Sequence, residues 1–179
     1  MNIFILNTGR CGSTTFIKAC EHITNYTATH ESLSTLSGEA RFAYPVNHIE
    51  ADNRLSWFLG ILDDKYADDA FYVHLTRDKQ KTIDSFSKRE DYGIMKAFKE
   101  GILLGGEDNL SPHAIAEDYI NTVEFNIMLF LKGKKNKMSF KLEDASKDFG
   151  IFFNKISAEG DINAALKEFN INYNASKSV

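Results

Sequence analysis

The chain has 179 residues, of which 43% are apolar and 26% charged, enough for one folded core and too apolar for a disordered segment. Its net charge of -4 argues against a protein that coats nucleic acid, yet leaves room for a local basic pocket that takes a small anion. The two cysteines, Cys11 and Cys20, form neither a CxxC nor a metal-ligand pattern, so a reducing, cytoplasmic setting is expected.

The chain opens on a compact apolar run, Asn2 to Leu6, which reads as a buried strand. It has no basic region ahead of that run, as a signal peptide would. No stretch reaches the ~18 apolar residues of a membrane span. A glycine-containing turn, Asn7 to Ser13, leads into a helix over Thr14 to Ile23. A short strand follows at Tyr26 to His30, then a small, polar loop from Ser32 to Tyr44 with at most one helical turn.

Asn53 to Tyr66 reads as one helix, with Leu55, Phe58, Leu59 and Leu62 on one face. Ala70 to Thr76 is a second buried strand. A helix follows Arg77-Asp78 to about Glu90, and another spans Ile94 to Leu104 before Gly105-Gly106. Ser111-Pro112 is a strong helix start, with an N-capping hydroxyl and proline at the first helical position. Ile115, Tyr119, Val123, Ile127 and Leu131 then form a one-faced stripe. Lys132 to Lys137 reads as a solvated turn, Met138 to Leu142 as a last strand, and two short helices complete the chain. Strands alternating with helices predict one α/β domain over 1–179 with a mainly parallel sheet. Ligands in such sheets bind at the carboxyl ends of the strands, where Thr8-Gly9-Arg10, His30-Glu31 and Arg77 fall.

The first candidate site is Arg10, Cys11, Gly12, Ser13, Thr14 and Thr15. A strand, a glycine turn and a helix start present free amides and partial positive charge to an anion. Gly12 permits close approach, the three hydroxyls add donors, and Arg10 adds a planar fork suited to phosphate. The Walker A pattern is unmet, because no lysine follows Gly12. The second candidate is Arg77 at a strand end with Ser85 eight residues on. Taken from the residues alone, the first stretch also reads as a capped βα turn. The second also reads as a solvated Arg and Ser.

Together the two stretches resemble the nucleotide motifs of the sulfotransferase family. Arg10-Cys11-Gly12-Ser13-Thr14 resembles its 5'-phosphosulfate loop, and Arg77 with Ser85 resembles its 3'-phosphate pair. The resemblance implies a three-layer, P-loop-like α/β fold with helices flanking the sheet. It implies 3'-phosphoadenosine 5'-phosphosulfate (PAPS) as co-substrate, no metal, and transfer of a sulfuryl group to a hydroxyl on a small molecule, glycan or lipid. Arg10, Cys11, Gly12, Ser13, Thr14 and Thr15 would hold the 5' end, and Arg77 and Ser85 the 3'-phosphate. The family closes a late basic, glycine-rich segment over its nucleotide, and Asn174-Ala175-Ser176-Lys177 is the faint candidate here.

Such transfer needs a proton acceptor, usually Glu or His in the family. Glu31 is preferred and His30 is next, with Arg10 assisting; His48 and Glu50 are a further pair. Trp57 and Phe58 read as core residues that could instead stack on an acceptor, and the Ser32 to Asn53 region is expected to shape the acceptor cleft. A P-loop-type phosphotransferase and a nucleotide-binding module without chemistry remain the alternatives.

Overall fold

The computed structural model describes residues 1–107, 109–171 and 173. Five parallel strands form one sheet in the order β2-β3-β1-β4-β5: β1 (Ile3–Leu6), β2 (Thr27–His30), β3 (His48–Ala51), β4 (Phe71–Thr76) and β5 (Lys137–Lys141). The alternation of a pleated strand sorts the core into two halves. Ile3 and Ile5 of β1, with Val73 and Leu75 of β4, face one side. There they meet Phe16 and Ile17 of α1 (Ser13–Cys20), Phe149 and Phe152 of α6 (Ala145–Lys155) and Ala165 of α7 (Ile162–Glu168).

Phe4, Leu6 and Tyr72 face the other side. That half is filled from α2 (Leu59–Tyr66), α3 (Lys79–Ser87), α4 (Gly93–Ala97) and α5 (Pro112–Lys132). The expected stripe of α5, Ile115 through Leu131, is buried as read. The result is three layers, helix on sheet on helix, as expected from the sequence.

The sequence reading contains no strand at 48–51, yet β3 lies inside the sheet between β2 and β1. His48 and Glu50 hide it, because two polar residues in four break the apolar signature. Both are buried all the same. Glu50 accepts from the Ser32 amide at 2.9 Å, from the Thr29 hydroxyl at 2.8 Å and from His48 Nε2 at 3.1 Å. Burial pushes the Glu50 carboxyl up, but hydrogen bonds from His48, Ser32 and Thr29 outweigh it and hold the group below its usual range. This pair is therefore a structural clasp between β3 and the chain leaving β2.

Two expected helices are interrupted. Asn53 to Tyr66 splits into a 3-10 turn at Asn53–Trp57 and α2, because the Asp52 side chain caps the Arg54 amide and starts a separate tight turn. Ile94 to Leu104 splits into α4 and a π-helical turn at Phe98–Ile102. Arg41 and Asp52 form an ion pair at 2.8 Å with side chains 6% and 0% exposed. Arg41 also donates to the Leu33 carbonyl, so it ties the loop after β2 to the end of β3.

His74 on β4 is buried, and its Nε2 has no hydrogen-bond partner among the described residues. Burial lowers its pKa to about 4. The unfolded chain binds this proton near pH 6.5 and the folded chain does not, so stability is full above about 6.5 and falls as pH drops towards 4. The loss amounts to ~3 kcal/mol at most. Urea melts of wild type and His74→Gln across this range will diverge on the acid side, with the wild type losing more.

Candidate active site

The loop from Asn7 to Gly12 follows β1, the central strand, and lies over the core. Gly9, Arg10 and Gly12 take positive φ values of 90°, 59° and 86°. Those left-handed turns reverse the chain twice within four residues, at little cost for the two glycines. Their effect is visible in the hydrogen bonds. The Asn7 carbonyl accepts from Ser56 Oγ at 3.1 Å and the Thr8 carbonyl from the Tyr119 hydroxyl at 2.7 Å. The Gly9 carbonyl accepts from Cys11 Sγ at 3.1 Å and the Arg10 carbonyl from an Arg77 guanidinium nitrogen at 3.2 Å. Four successive carbonyls are thus engaged by side chains. Amides at the start of a helix have no carbonyl within the helix to bind. A loop that ties down its oxygens and opens onto such a start is built to receive negative charge.

The charged side chains agree. Burial, then Arg89 and Arg77, depress the Arg10 guanidinium below its ordinary range. Arg10 and Arg77 both border the first cavity at this loop in a chain of net negative charge, an arrangement that an anion relieves. Arg10 Nε donates to Ser85 Oγ at 2.9 Å, which brings the two candidate motifs into one site from 75 residues apart.

Two cavities meet at the loop. One, of about 350 Å³, is bounded by Arg10, Gly12, Ser13, Thr14, Thr15 and Arg77. Leu142, Phe169, Asn170 and Ile171 close its far side. The other, of about 290 Å³, shares Arg10, Ser13 and Thr14 with the first and extends to His30, Glu31, Asn53 and Arg54. The loop is therefore the common wall between two chambers, each large enough for part of a small molecule.

No family model matches the sequence, and no curated protein matches it. Solved structures do match. A sulfotransferase domain from the curacin biosynthetic pathway aligns with a TM-score of 0.62 and 16% identity, over 97% of this chain and 78% of that one. Mouse sulfotransferase SULT7A1, complexed with PAP, aligns with a TM-score of 0.56 and 16% identity, over 94% of this chain and 63% of that one. The chain has a sulfotransferase-like fold.

Within this sulfotransferase-like fold the sequence candidates are distributed as follows. Arg10, Gly12, Ser13, Thr14, Thr15 and Arg77 line one cavity, with Ser85 reached through Arg10. Cys11 is buried, and burial pushes its thiol up to about 11. Its sulfur bonds the Gly9 carbonyl and the Thr8 hydroxyl, so only its backbone is available to a ligand. His30 is exposed, and its Nε2 lies 2.9 Å from Ser13 Oγ. Glu31, at φ 53°, has its Oε2 3.0 Å from Arg54 Nη1. His48 and Glu50 lie in the buried clasp of β3, away from both cavities.

The Ser32 to Asn53 region contributes only Asn53 to the second cavity. The far wall comes from Phe86 to Met95, a stretch the sequence reads as two helices flanking a turn. Trp57 packs against the Tyr119 and Phe98 rings, with centroids 6.4 and 6.3 Å away, and lines neither cavity. Asn174-Ala175-Ser176-Lys177 lies outside the described residues. Tyr119, Ser56 and Leu142, which brace the loop, carry no sequence signal beyond apolar or polar filler. Among the described residues no group of three His, Cys, Asp or Glu has metal-binding geometry, and no helix is long and apolar enough to cross a membrane.

A Cβ added at Gly12 would sit 2.7 Å from Leu142 Cδ1, at a φ that L side chains avoid. Gly12→Ala should cost roughly 1–2 kcal/mol from the left-handed backbone alone. The added methyl also pushes Leu142 into the cavity. Thermal melts will show a midpoint lower by roughly 2–4 °C per kcal/mol, and Leu142→Ala in the same background will recover only the steric part.

Proposed function

We propose that the chain transfers a sulfuryl group from PAPS to an acceptor hydroxyl. The observation that carries this reading is the single loop, carbonyls tied down and flanked by Arg10 and Arg77, that separates two cavities. The likeness to a structure complexed with PAP supports the choice of nucleotide.

In this reading the cavity bounded by Arg77 and Thr15 takes the donor. Arg77 and Ser85 hold the 3'-phosphate, and the loop amides with Arg10, Ser13 and Thr14 hold the 5' end. The acceptor enters the cavity of His30 and Glu31. The geometry favours His30 as proton acceptor over Glu31, because His30 touches the loop through Ser13 while Glu31 is ion-paired with Arg54. The acceptor oxygen attacks sulfur, its proton passes to His30, and the bond from sulfur to the phosphate oxygen breaks. Charge gathers on that leaving oxygen, which Arg10 and the amides at the start of α1 would stabilise in this reading. Arg77, holding the 3'-phosphate rather than the transferred group, contributes affinity that positions the donor.

Labelled PAPS incubated with a broad panel of hydroxyl acceptors tests the reading. Transfer of label to any member that is lost in Arg10→Ala supports it. PAP binding without transfer to any member favours the non-catalytic nucleotide-binding module. An absolute requirement for ATP and magnesium would instead revive phosphoryl transfer.

A further inference from the structure

The second cavity has a wall that the transfer step does not use. Besides His30 and Ser13 the cavity is lined by Phe86, Arg89, Tyr92 and Ile94, from the end of α3 to the start of α4. Arg10, Arg54 and Arg89 line this space, against one carboxylate, Glu31. Glu31 is committed to Arg54 at 3.0 Å. Arg10 belongs to the loop and bonds Ser85. Arg89 is exposed, and no carboxylate of the described residues lies within ion-pairing distance of it. Its guanidinium is nonetheless near enough to Arg10 to depress it. A cavity for a neutral acceptor gains nothing from a cation placed beside two others, since like charges repel and an anion between them relieves the repulsion.

The same wall supplies apolar contact. Phe86 is buried beneath it, and Tyr92, 74% exposed, stands at the mouth with its ring open to a ligand. An exposed aromatic beside an arginine fits a compact ring that carries a charged substituent. At about 290 Å³ the space accommodates one such ring rather than a long chain.

We propose, resting on the sulfotransferase reading, that the acceptor is a ring compound bearing a hydroxyl and an anionic group of its own. The anion is a carboxylate, phosphate or sulfate ester, held by Arg89, while the ring packs on Tyr92 and Ile94 and the hydroxyl faces His30. Arg89 is a specificity determinant, and the electropositive cleft draws such acceptors from solution.

The test uses the full chain saturated with PAP and matched pairs of probes that differ in the anion. Suitable pairs are 4-nitrophenyl β-glucuronide with 4-nitrophenyl β-glucoside, and 4-hydroxybenzoate with 4-hydroxybenzamide. Binding is followed by saturation-transfer NMR and titration. The anionic members are expected to bind about tenfold more tightly or better, the contribution of a charge-assisted hydrogen bond. Arg89→Ala should erase that difference, Arg89→Lys should keep part of it, and PAP affinity should be retained in both. Equal binding of neutral and anionic members overturns the proposal, as does failure of every anionic member to bind. Loss of PAP affinity in Arg89→Ala with the anion preference intact also overturns it, by assigning Arg89 to the donor. If PAP does not bind the wild-type chain, the donor reading itself fails and this proposal with it.

Discussion

Arg77→Ala will weaken PAP binding about a hundredfold and remove the advantage of the 3'-phosphorylated nucleotide over AMP. The magnitude follows from charge-assisted hydrogen bonds, each contributing roughly 1.5–3 kcal/mol when made to an ionised partner. Arg77 leaves the end of β4 with one guanidinium nitrogen on the Arg10 carbonyl. Its loss therefore removes the proposed phosphate ligand and also frees one of the four carbonyls that the loop ties down. Ser85→Ala removes the second proposed contact to the 3'-phosphate together with the hydroxyl that Arg10 Nε grips, and should cost less because a neutral hydroxyl makes the weaker hydrogen bond. Thermal shift with increasing PAP separates the two effects, because ligand stabilisation scales with the logarithm of concentration over Kd. The unliganded midpoint reports the loop, and the ligand-dependent shift reports the phosphate. An Arg77→Ala protein that is stabilised by PAP as much as wild type would remove Arg77 from the site.

His30→Ala will lower the rate of sulfuryl transfer by about 10² to 10³, within the range for loss of a positioned general base. PAP affinity will change little, since His30 reaches the cavity proposed for the donor only through Ser13. Free imidazole in the assay should restore part of the rate. Glu31→Gln should have a smaller effect on turnover, acting through release of Arg54 at the acceptor wall. The reverse ranking, with Glu31→Gln the more damaging to turnover, would make Glu31 the base and His30 a tether for Ser13.

The parts of the fold that sequence shows best are those where one physical rule acts alone. β1 and β4 are buried on both faces, so β1 is a continuous apolar run and β4 is one broken only by His74 before its last residue, Thr76. The stripe of α5 faces one core and follows helical period. β3 defeats that logic, because His48 and Glu50 satisfy each other inside the protein and look from outside like a polar loop. The 3-10 turn before α2 is started by the Asp52 side-chain cap, which helical period does not register.

The candidate site shows the same division. Arg10 to Thr15 were legible because glycine, hydroxyl and arginine follow a strand, and Arg77 with Ser85 because of their spacing. That Arg10 reaches Ser85 across 75 residues is visible only in the folded chain. The contacts of Tyr119 and Ser56 with loop carbonyls are equally nonlocal, joining residues 111 and 49 positions apart. Arg89 was silent in sequence for another reason: an exposed arginine looks solvated unless the cavity beside it is known. Cys11 falls within the loop motif, but its sulfur turns inward to bond the Gly9 carbonyl.

The loop, Arg10 and Arg77 are proposed to form a site for a 3'-phosphorylated adenine nucleotide. Calorimetric titration of the wild-type chain with PAP, and separately with AMP and ATP, tests it most directly. The proposed reading predicts saturable binding of PAP at one site, clearly tighter than AMP or ATP and without added metal. Absence of PAP binding, or an affinity equal to that of AMP, would contradict it and reduce the two motifs to a capped βα turn and a solvated arginine.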